Sequence, residues 1–431
     1  MVKSIVIVGA GPGGQKLAQA LKKDGKDCKI TILSAIRFAE FAPMSCYFTA
    51  NAEQYHKYSG PQDMDEHDKF QKDMKGIKII YGEATSVDPD GCCVKFRDAS
   101  GQTCELTYDL LVAASGVDFG PVLSPRPLMS VQERFADVQL VTSTLDKAKK
   151  VVVIGGGPIA VKVAGDYKER NPNAEVVMAC RSKLTIKNWN GQEDTKLREL
   201  LSEARILVKE GLGDVKSMPK TLAECCRRAS IEFTNGQTLE ADLVVPGFQT
   251  GFNSSYLPAE LLSQEKPTVS TNNYGQSDKR SNIFAIGALS SIEKDFMGIP
   301  HYDDSISMYS ANIVSVLSGM QPTKDLTSRT TFKKHKAPFN IAIGHATYGL
   351  IAERHAPMGE GFLFQACGFP CTLLCPCLWP CPFMCGYCCQ SLPSGRGRGF
   401  GPIFMSTGAT YKEAQPPAQA KMALTTQAGA E

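Results

Sequence analysis

Ser4-Ile5-Val6-Ile7-Val8-Gly9-Ala10-Gly11-Pro12-Gly13-Gly14 joins a β-branched run to a glycine-rich turn, and the fold follows from this junction. An amphipathic stretch over 15–23 comes next, so strand, turn and helix arrive in that order. In a Rossmann turn the first glycine makes the bend, the second lets backbone N–H groups approach a pyrophosphate, and the third lets helix and strand pack closely. The pattern therefore predicts a dinucleotide loop, with Gly9, Gly11 and Gly14 in those places and Pro12 and Gly13 between them.

A second copy of this junction follows at 151–160, where a valine run enters Gly155-Gly156-Gly157-Pro158-Ile159-Ala160. Gly155 and Gly157 hold the first two places, Ala160 holds the third, and a helical stretch continues to Arg170. One glycine-rich turn is a weak signal, because ordinary βα units use such turns without binding anything. Two of them predict two nucleotides, and therefore a flavoprotein that takes hydride from a nicotinamide onto a flavin.

The composition narrows the functional class. A chain of 431 residues is long enough for two or three domains with substantial cores. Acids and bases are intermixed and the formal charge is +3, which argues against a nucleic-acid partner. Met1-Val2-Lys3 leads directly into a strand, and N-myristoylation would need glycine at the second position. The body of the chain is therefore expected in the cytoplasm.

Other runs predict the remaining elements. Second strands are expected at 28–34 and 175–180, and buried strands that end in small residues at 108–116 and 241–247. Alternating runs predict a β-meander over 77–81, 92–97 and 103–107. Polar, helical sequence is expected over 51–75, a helix over 305–317, and apolar strands over 339–343 and 348–351.

The paired strands at 108–116 and 241–247 suggest that the second nucleotide unit interrupts the first. The expected fold is α/β, with two Rossmann-like, three-layer ββα dinucleotide-binding domains, the second inserted in the first. The domain limits are 1–118 and 246–327 for the FAD-binding domain, 119–245 for the NAD(P)H-binding domain, 328–366 for a small C-terminal α/β unit, and 367–431 for a Cys-rich tail and polar end.

Charges near the strand ends bear on which nucleotides bind. An acid that holds the adenosine ribose is expected about 20 residues after the first loop, and Ser34 occupies that place. Glu40 could substitute from a longer loop or could be a solvated surface charge, and the surface interpretation is favoured. In the second unit Arg181 and Lys183 stand where an acid would select NADH, so a 2′-phosphate and NADPH are favoured.

Together these residues resemble the FAD- and NAD(P)-dependent pyridine nucleotide-disulfide oxidoreductases. Within them they resemble the apoptosis-inducing-factor-like, mitochondrion-associated branch, which includes the ferroptosis-suppressor quinone reductases. The resemblance covers about 1–365 and rests on both loops, on 108–116, on 241–257 and on 282–287. It implies FAD under the first loop, NADPH or NADH under the second, and a quinone as acceptor. It also implies that Ala114, Ser115, Gly116 and Gly287 lie beside the flavin.

Three positions depart from the family pattern. Ser34 and Ala288 stand where the pattern has carboxylates for FAD hydroxyls, and bonds of that kind contribute about 1.5–3 kcal/mol each. FAD is therefore expected to be held weakly. Lys162 replaces a glutamate near the nicotinamide and the flavin, and Asp166 lies one helical turn later. These two side chains are the candidates for a catalytic role.

The positions of the cysteines bear on whether the electron acceptor is a quinone or a disulfide. Neither cysteine spacing of the related disulfide reductases occurs before residue 366, which leaves Cys46 as a lone redox candidate or, as favoured, a buried structural thiol. Without a thiol relay the flavin would reduce its acceptor directly, and a planar two-electron quinone fits. The alternatives are an NADPH-dependent thiol or disulfide reductase that uses Cys46 or tail cysteines, and a degenerate, non-catalytic nucleotide-sensing scaffold.

The tail carries no charged side chain from Gly361 to Gln390, yet its prolines argue against a simple transmembrane helix. Multiple S-acylation at a membrane surface is favoured over a metal knuckle or a thiol relay, so no metal site is predicted. The expected enzyme is cytoplasmic and peripherally membrane-associated, with a small-molecule quinone as partner and a homodimer left open. The candidate acylation sites are Cys367, Cys371, Cys375, Cys377, Cys381, Cys385, Cys388 and Cys389.

Overall fold

A computed structural model describes residues 2–24, 28–38, 40, 42–55, 72–184, 191–292, 300–328, 339–343, 346–350 and 363–365. The helices are α1 (Pro12–Asp24), α2 (Ala42–Ala50), α3 (Gly120–Leu123), α4 (Val131–Lys147), α5 (Pro158–Arg170), α6 (Gly191–Glu203), α7 (Leu222–Cys225) and α8 (Pro300–Leu317). The strands are β1 (Lys3–Val8), β2 (Cys28–Ser34), β3 (Lys78–Tyr81), β4 (Glu83–Asp88), β5 (Cys93–Arg97), β6 (Thr103–Thr107), β7 (Leu110–Ala113), β8 (Val117–Asp118), β9 (Lys150–Ile154), β10 (Glu175–Ala179), β11 (Ile206–Lys209), β12 (Val215–Ser217), β13 (Ala229–Phe233), β14 (Thr238–Ala241), β15 (Leu243–Pro246), β16 (Gly251–Phe252), β17 (Ile283–Ala285), β18 (Phe339–Ile343), β19 (Ala346–Leu350) and β20 (Leu363–Gln365).

The first sheet has the strand order β17-β7-β1-β2-β3, with every neighbouring pair parallel. Its central strand β1 is buried on both faces, as parallel strands are. Ile5 and Ile7 pack with α1 and α8, whereas Val6 and Val8 pack with the antiparallel sheet β4-β5-β6. The two faces of one strand thus create the three ββα layers, which confirms the predicted fold class.

The expected meander needs one correction. Residues 78–81 do not belong to it, because β3 pairs in parallel with β2 at the edge of the first sheet. The meander begins instead with β4, whose sequence is polar and whose one buried residue is Val87. Alternating hydrophobicity is the signal for a half-buried strand, and β4 does not have it. Turns at 89–92 and 99–100 connect the three strands of the meander.

The second sheet has the order β11-β10-β9-β15 and is also parallel. Val151 and Val153 of β9 pack against α5, and Val152 and Ile154 pack against the antiparallel sheet β12-β13-β14. The layering of the first unit is therefore repeated. The strand limits 28–34 and 175–179 agree with the sequence prediction to within one residue.

The chain passes between the two sheets at a pair of short strands. β8 leaves the first unit and β16 returns to it, and the two pair in an antiparallel arrangement with Asp118 opposite Gly251. Thr250 donates its backbone N–H to the Asp118 carbonyl at 2.8 Å and its hydroxyl to the Asp118 carboxylate at 2.7 Å. Everything from β9 to β15 lies between these two passages. The domain limits at 118 and 246 stay a prediction.

The C-terminal unit is described only through its strands, a three-stranded antiparallel sheet in the order β18-β19-β20. Within the described ranges, no helix combines the length and the apolar character needed to cross a membrane. Nor do the side chains described there bring three or more His, Cys, Asp or Glu residues together as metal ligands. The tail cysteines and most of the helical expectation for 51–75 lie outside the described residues.

Candidate functional site

The first glycine loop connects the carboxyl end of β1 to the N-terminus of α1. Gly9 has φ +116°, and a Cβ there would lie 2.4 Å from the Ala114 carbonyl oxygen, so only glycine fits beside β7. A Cβ on Gly14 would lie 2.1 Å from the Gly9 oxygen, which is the close helix–strand approach expected of the third glycine. Gly11 is exposed, and a Cβ there would meet nothing within 4 Å. The loop thus leaves open space at the positive end of a helix.

The second loop has the same construction between β9 and α5. Gly155 has φ +131° and would clash with the Gly247 carbonyl oxygen at 2.9 Å if it carried a Cβ. A Cβ on Gly247 would lie 2.7 Å from Ala160, so the return strand β15 passes close to the third small residue. Gly157 has open space like Gly11. Pro158 and Ile159 form the first turn of α5, whose N–H groups face this space.

The predicted flavin-side residues lie where β7 ends, next to the Gly9 turn. The Ser115 hydroxyl donates to the Asn253 carbonyl at 2.6 Å and lies 3.1 Å from the Tyr256 hydroxyl. The Asn253 amide donates back to the Ser115 carbonyl at 2.9 Å. Ala114 and Gly116 flank this crossing, and Gly116 has φ +71°. The crossing fixes the passage between the two sheets beside the first loop.

Ser34 and Ala288, two positions expected to lie at the FAD site, supply no carboxylate. Ser34 is buried at the end of β2, and its hydroxyl donates to the Ile36 carbonyl at 2.7 Å, so it is engaged in its own turn. Ala288 lies in a short 3₁₀ turn after β17, directly after Gly287, with no polar side chain to offer. The glycine loops therefore fit a pyrophosphate, whereas these two positions supply no acidic partner for sugar hydroxyls.

The expectation that Glu40 is a solvated surface charge was wrong. Its side chain is 3% exposed and pairs with Arg134, which is 1% exposed, through two bonds of 2.7 and 2.8 Å. The Ser45 hydroxyl donates to the same carboxylate at 2.6 Å, and Tyr55 donates at 3.3 Å. Arg134 also donates to the Leu123 carbonyl at 3.1 Å. Because Arg134 lies 94 residues away in sequence, on α4, no local pattern pointed to this partner.

Burial and charge act in opposite directions in this network. Burial lowers the pKa of Arg134, but the Glu40 carboxylate more than offsets it, so the guanidinium stays charged. Burial and the same carboxylate raise the pKa of Tyr55. The carboxylate therefore accepts bonds from one cation and two neutral hydroxyls. It joins the segment before α2 to α4, and it leaves no role for Glu40 in holding a ribose.

The catalytic candidates lie where α2 packs against α5. The Lys162 ammonium lies 3.0 Å from the Asp166 carboxylate one turn later, with the side chains 25% and 4% exposed. Burial lowers the pKa of Lys162, but Asp166 more than offsets this, so the net shift is upward and the ammonium stays charged. The structure thus brings Lys162 and Asp166 together as the i,i+4 spacing indicated.

Cys46 lies on α2, close to the Lys162–Asp166 pair. It is buried, and burial raises the pKa of its thiol to about 12, although the Lys162 ammonium lowers it. The Thr49 hydroxyl of the same helix accepts a bond from Tyr167 of α5 at 2.9 Å, which fixes the packing of the two helices. A thiol with this pKa is neutral at physiological pH, as expected of a structural cysteine.

The edge after β10 carries exposed positive charge. Arg181 is 76% exposed and lies 3.4 Å from the equally exposed Asp214, a pairing that is weak in water. Lys183 is exposed two residues later. Arg198 donates to Glu210, which directly follows β11, at 2.7 Å, so this acid is already paired. This edge can therefore accept an anionic group.

Comparisons with known proteins agree with this geometry. A family model described as pyridine nucleotide-disulphide oxidoreductase matches residues 3–307. The oxidoreductase ptaL of Pestalotiopsis fici is 26% identical over 368 residues, 80% of this chain and 91% of that protein. The apoptosis-inducing factor homolog A of Dictyostelium discoideum is 24% identical over 312 residues, which are 68% of this chain and 72% of that protein. A solved structure with a similar fold is an engineered water-forming NADPH oxidase with NADPH bound, derived from the Lactobacillus brevis enzyme. Its TM-score is 0.57 at 16% identity, and the match covers 80% of this chain and 74% of that one.

Proposed function

Because this chain belongs to the pyridine nucleotide-disulphide oxidoreductase family, we propose that it is an FAD-dependent NAD(P)H oxidoreductase that reduces a quinone-type acceptor. The observation that carries this proposal is the duplicated loop, with open space in front of Gly11 and Gly157 at the start of two helices. A bound flavin would supply the redox chemistry, since it accepts hydride from a reduced nicotinamide and passes electrons on. The first loop holds FAD and the second holds the nicotinamide nucleotide.

The protein's own groups bind and orient rather than react. The N-terminal N–H groups of α1 and α5 each offer bonds to a pyrophosphate, and both helix dipoles favour its negative charge. Lys162 and Asp166 form a paired charge between the units and set the local potential near Cys46. Catalysis on this proposal consists chiefly of holding two ring systems in a reactive orientation.

The absorption spectrum of the purified protein tests the proposal. We expect flavin bands, or their restoration by added FAD, anaerobic bleaching by NADPH, and reoxidation by a quinone faster than by a disulfide. Protein that takes up no flavin would instead support the degenerate scaffold. Reoxidation only by disulfides would support the thiol reductase.

The exposed edge after β10 supports NADPH over NADH. An arginine at this place can hold a 2′-phosphate, whereas an acid would hold the free ribose hydroxyl. The engineered NADPH oxidase carries introduced alanine, arginine and serine in succession. The present chain reads Cys180-Arg181-Ser182 directly after β10.

Replacing Arg181 by alanine is expected to weaken NADPH binding about tenfold and to leave NADH binding unchanged. A charge-assisted bond contributes about 1.5–3 kcal/mol, and exposure of Arg181 places the loss at the lower end. The measurement is the dissociation constant of each nucleotide by calorimetry. Arg228→Ala is the matched control, because Arg228 is equally exposed and pairs with Glu240 on the outer antiparallel sheet. Equal loss of both nucleotides in Arg181→Ala would contradict the assignment.

The buried thiol of Cys46 supports direct reduction of the acceptor. Replacing Cys46 by serine is expected to leave NADPH:quinone turnover within about twofold, because a neutral thiol at this pKa is a poor nucleophile. Turnover with a quinone and with a disulfide is measured side by side. Cys225→Ser serves as control, since Cys225 is also buried and has a pKa raised to about 12. Loss of turnover in Cys46→Ser alone would favour the thiol reductase.

The proposal also includes the family branch, the quinone acceptor and a membrane location, which support one another. The match to an apoptosis-inducing factor homolog supports the apoptosis-inducing-factor-like branch. The tail cysteines, from Cys367 to Cys389, would carry acyl chains that hold a cytoplasmic enzyme at a membrane surface. There the enzyme could reach a lipid-soluble quinone. The sequence of the tail supports this location.

A further inference from the structure

Gln15 is a buried polar side chain on the inner face of α1, directly behind the first glycine loop. It is 3% exposed, and its side-chain amide donates to the Ala10 carbonyl at 2.6 Å. Its backbone N–H donates to the Gly11 carbonyl at 3.0 Å. Its side-chain oxygen has no hydrogen-bond partner within the part of the chain that the structure describes. Gln15 thus contacts the loop at two successive carbonyls.

The bond to Ala10 sets the direction of the next N–H group. In a trans peptide the N–H points opposite to the C=O of the same unit, and the described peptides include no cis bond. The Ala10 carbonyl is held toward the buried Gln15 amide, so the Gly11 N–H points away from the protein interior. Gly11 is exposed, with open space where a Cβ would stand. The N–H therefore faces the space available to a ligand.

The second loop shows that packing alone does not require this amide. Gln15 directly follows the third small residue of its loop, Gly14, and Val161 directly follows Ala160 in the other. Val161 is fully buried and apolar. A buried polar atom without a partner costs free energy, and native proteins keep few of them. The cost of the unpaired oxygen of Gln15 therefore points to a function beyond filling space.

We propose that Gln15 is a positioning residue that aims the Gly11 N–H at the pyrophosphate of the dinucleotide in the first loop. The inference rests on the proposed function, which places FAD there. Ser34 is engaged in its own turn and Ala288 is apolar, so these two positions supply no carboxylate for the sugars. The pyrophosphate contacts then carry a larger share of the affinity.

Gln15→Met tests this, because methionine has a similar length and shape but cannot donate to Ala10. We expect the dissociation constant of FAD to rise about tenfold, measured by flavin fluorescence with apoprotein, while that of riboflavin, which lacks the pyrophosphate, stays within twofold. The affinity of the second loop for NADPH is also expected to stay unchanged. The thermal midpoint of the apoprotein should shift by only a few degrees. Lys16→Met, the neighbouring change on α1, should have none of these effects.

Each outcome decides the inference. FAD binding within twofold of wild type in Gln15→Met overturns it, and so does a parallel loss of FAD and riboflavin together with a large fall in the thermal midpoint. Wild-type protein that binds no FAD overturns the proposed function, and the inference with it. That failure is separate, because it shows in the wild type before any variant is made.

Discussion

Replacing Arg134 by methionine lowers the free energy of unfolding by about 3–5 kcal/mol, because the Glu40 carboxylate is then left buried without its cation. The two side chains are almost wholly buried and form two parallel bonds. Tyr55 and Ser45 still donate to the carboxylate, but neutral donors compensate a buried charge only in part. Denaturant midpoints of the apoprotein measure the loss.

The double variant Glu40→Leu/Arg134→Met separates the charge effect from packing. Removing both partners abolishes the unpaired charge, and well-packed apolar replacements of buried ion pairs are often neutral or stabilising. We therefore expect the double variant to recover most of the stability. Arg170→Met is the surface control, since Arg170 pairs with the half-exposed acids Asp146 and Glu53, and we expect a cost below about 1 kcal/mol. Equal costs in Arg134→Met and Arg170→Met would contradict the buried-pair account.

Aspartate at Gly11 weakens FAD binding at least 100-fold, and aspartate at Gly157 does the same to NADPH. At about 1.4 kcal/mol per tenfold, this is a loss of about 2.8 kcal/mol or more. A carboxylate in front of the helix N-terminus fills the space for a pyrophosphate and repels its charge. At both positions a Cβ meets nothing within 4 Å, so the apoprotein should fold with an unchanged thermal midpoint.

The two variants control each other. Gly11→Asp should keep NADPH affinity while losing the flavin, and Gly157→Asp should bind added FAD that NADPH no longer bleaches. Dissociation constants for both nucleotides are measured on both proteins. If either change removed both nucleotides, or neither, the assignment of one nucleotide to each loop would be wrong.

Local signals explain what the sequence could predict. Gly14 is required by its close approach to Gly9 within the same βα unit, and Gly9 and Gly155 are required by the positive φ of their turns, so a short motif carries these constraints. The strands β1, β9 and β10 have continuous apolar runs because both of their faces are buried. These elements and the three-layer fold follow from patterns of about ten residues each.

The remaining features depend on partners distant in sequence. Glu40 meets Arg134 only in the folded chain, so its burial had no local signature. β4 was missed because its side chains are mostly polar and do not alternate with apolar ones. Gln15 did leave a trace, since it is a polar residue directly after the third glycine of its loop, where the second loop has Val161. This polar residue in the place of an apolar one was the signal that could have revealed it.

The antiparallel pair of β8 and β16 has a consequence for how the chain tolerates insertion. Asp118 and Gly251 face each other, so the entry and exit of everything from β9 to β15 are separated by one strand spacing, about 5 Å. Because the two ends of this segment are adjacent, its length can change while β7 and β17 keep their places in the first sheet.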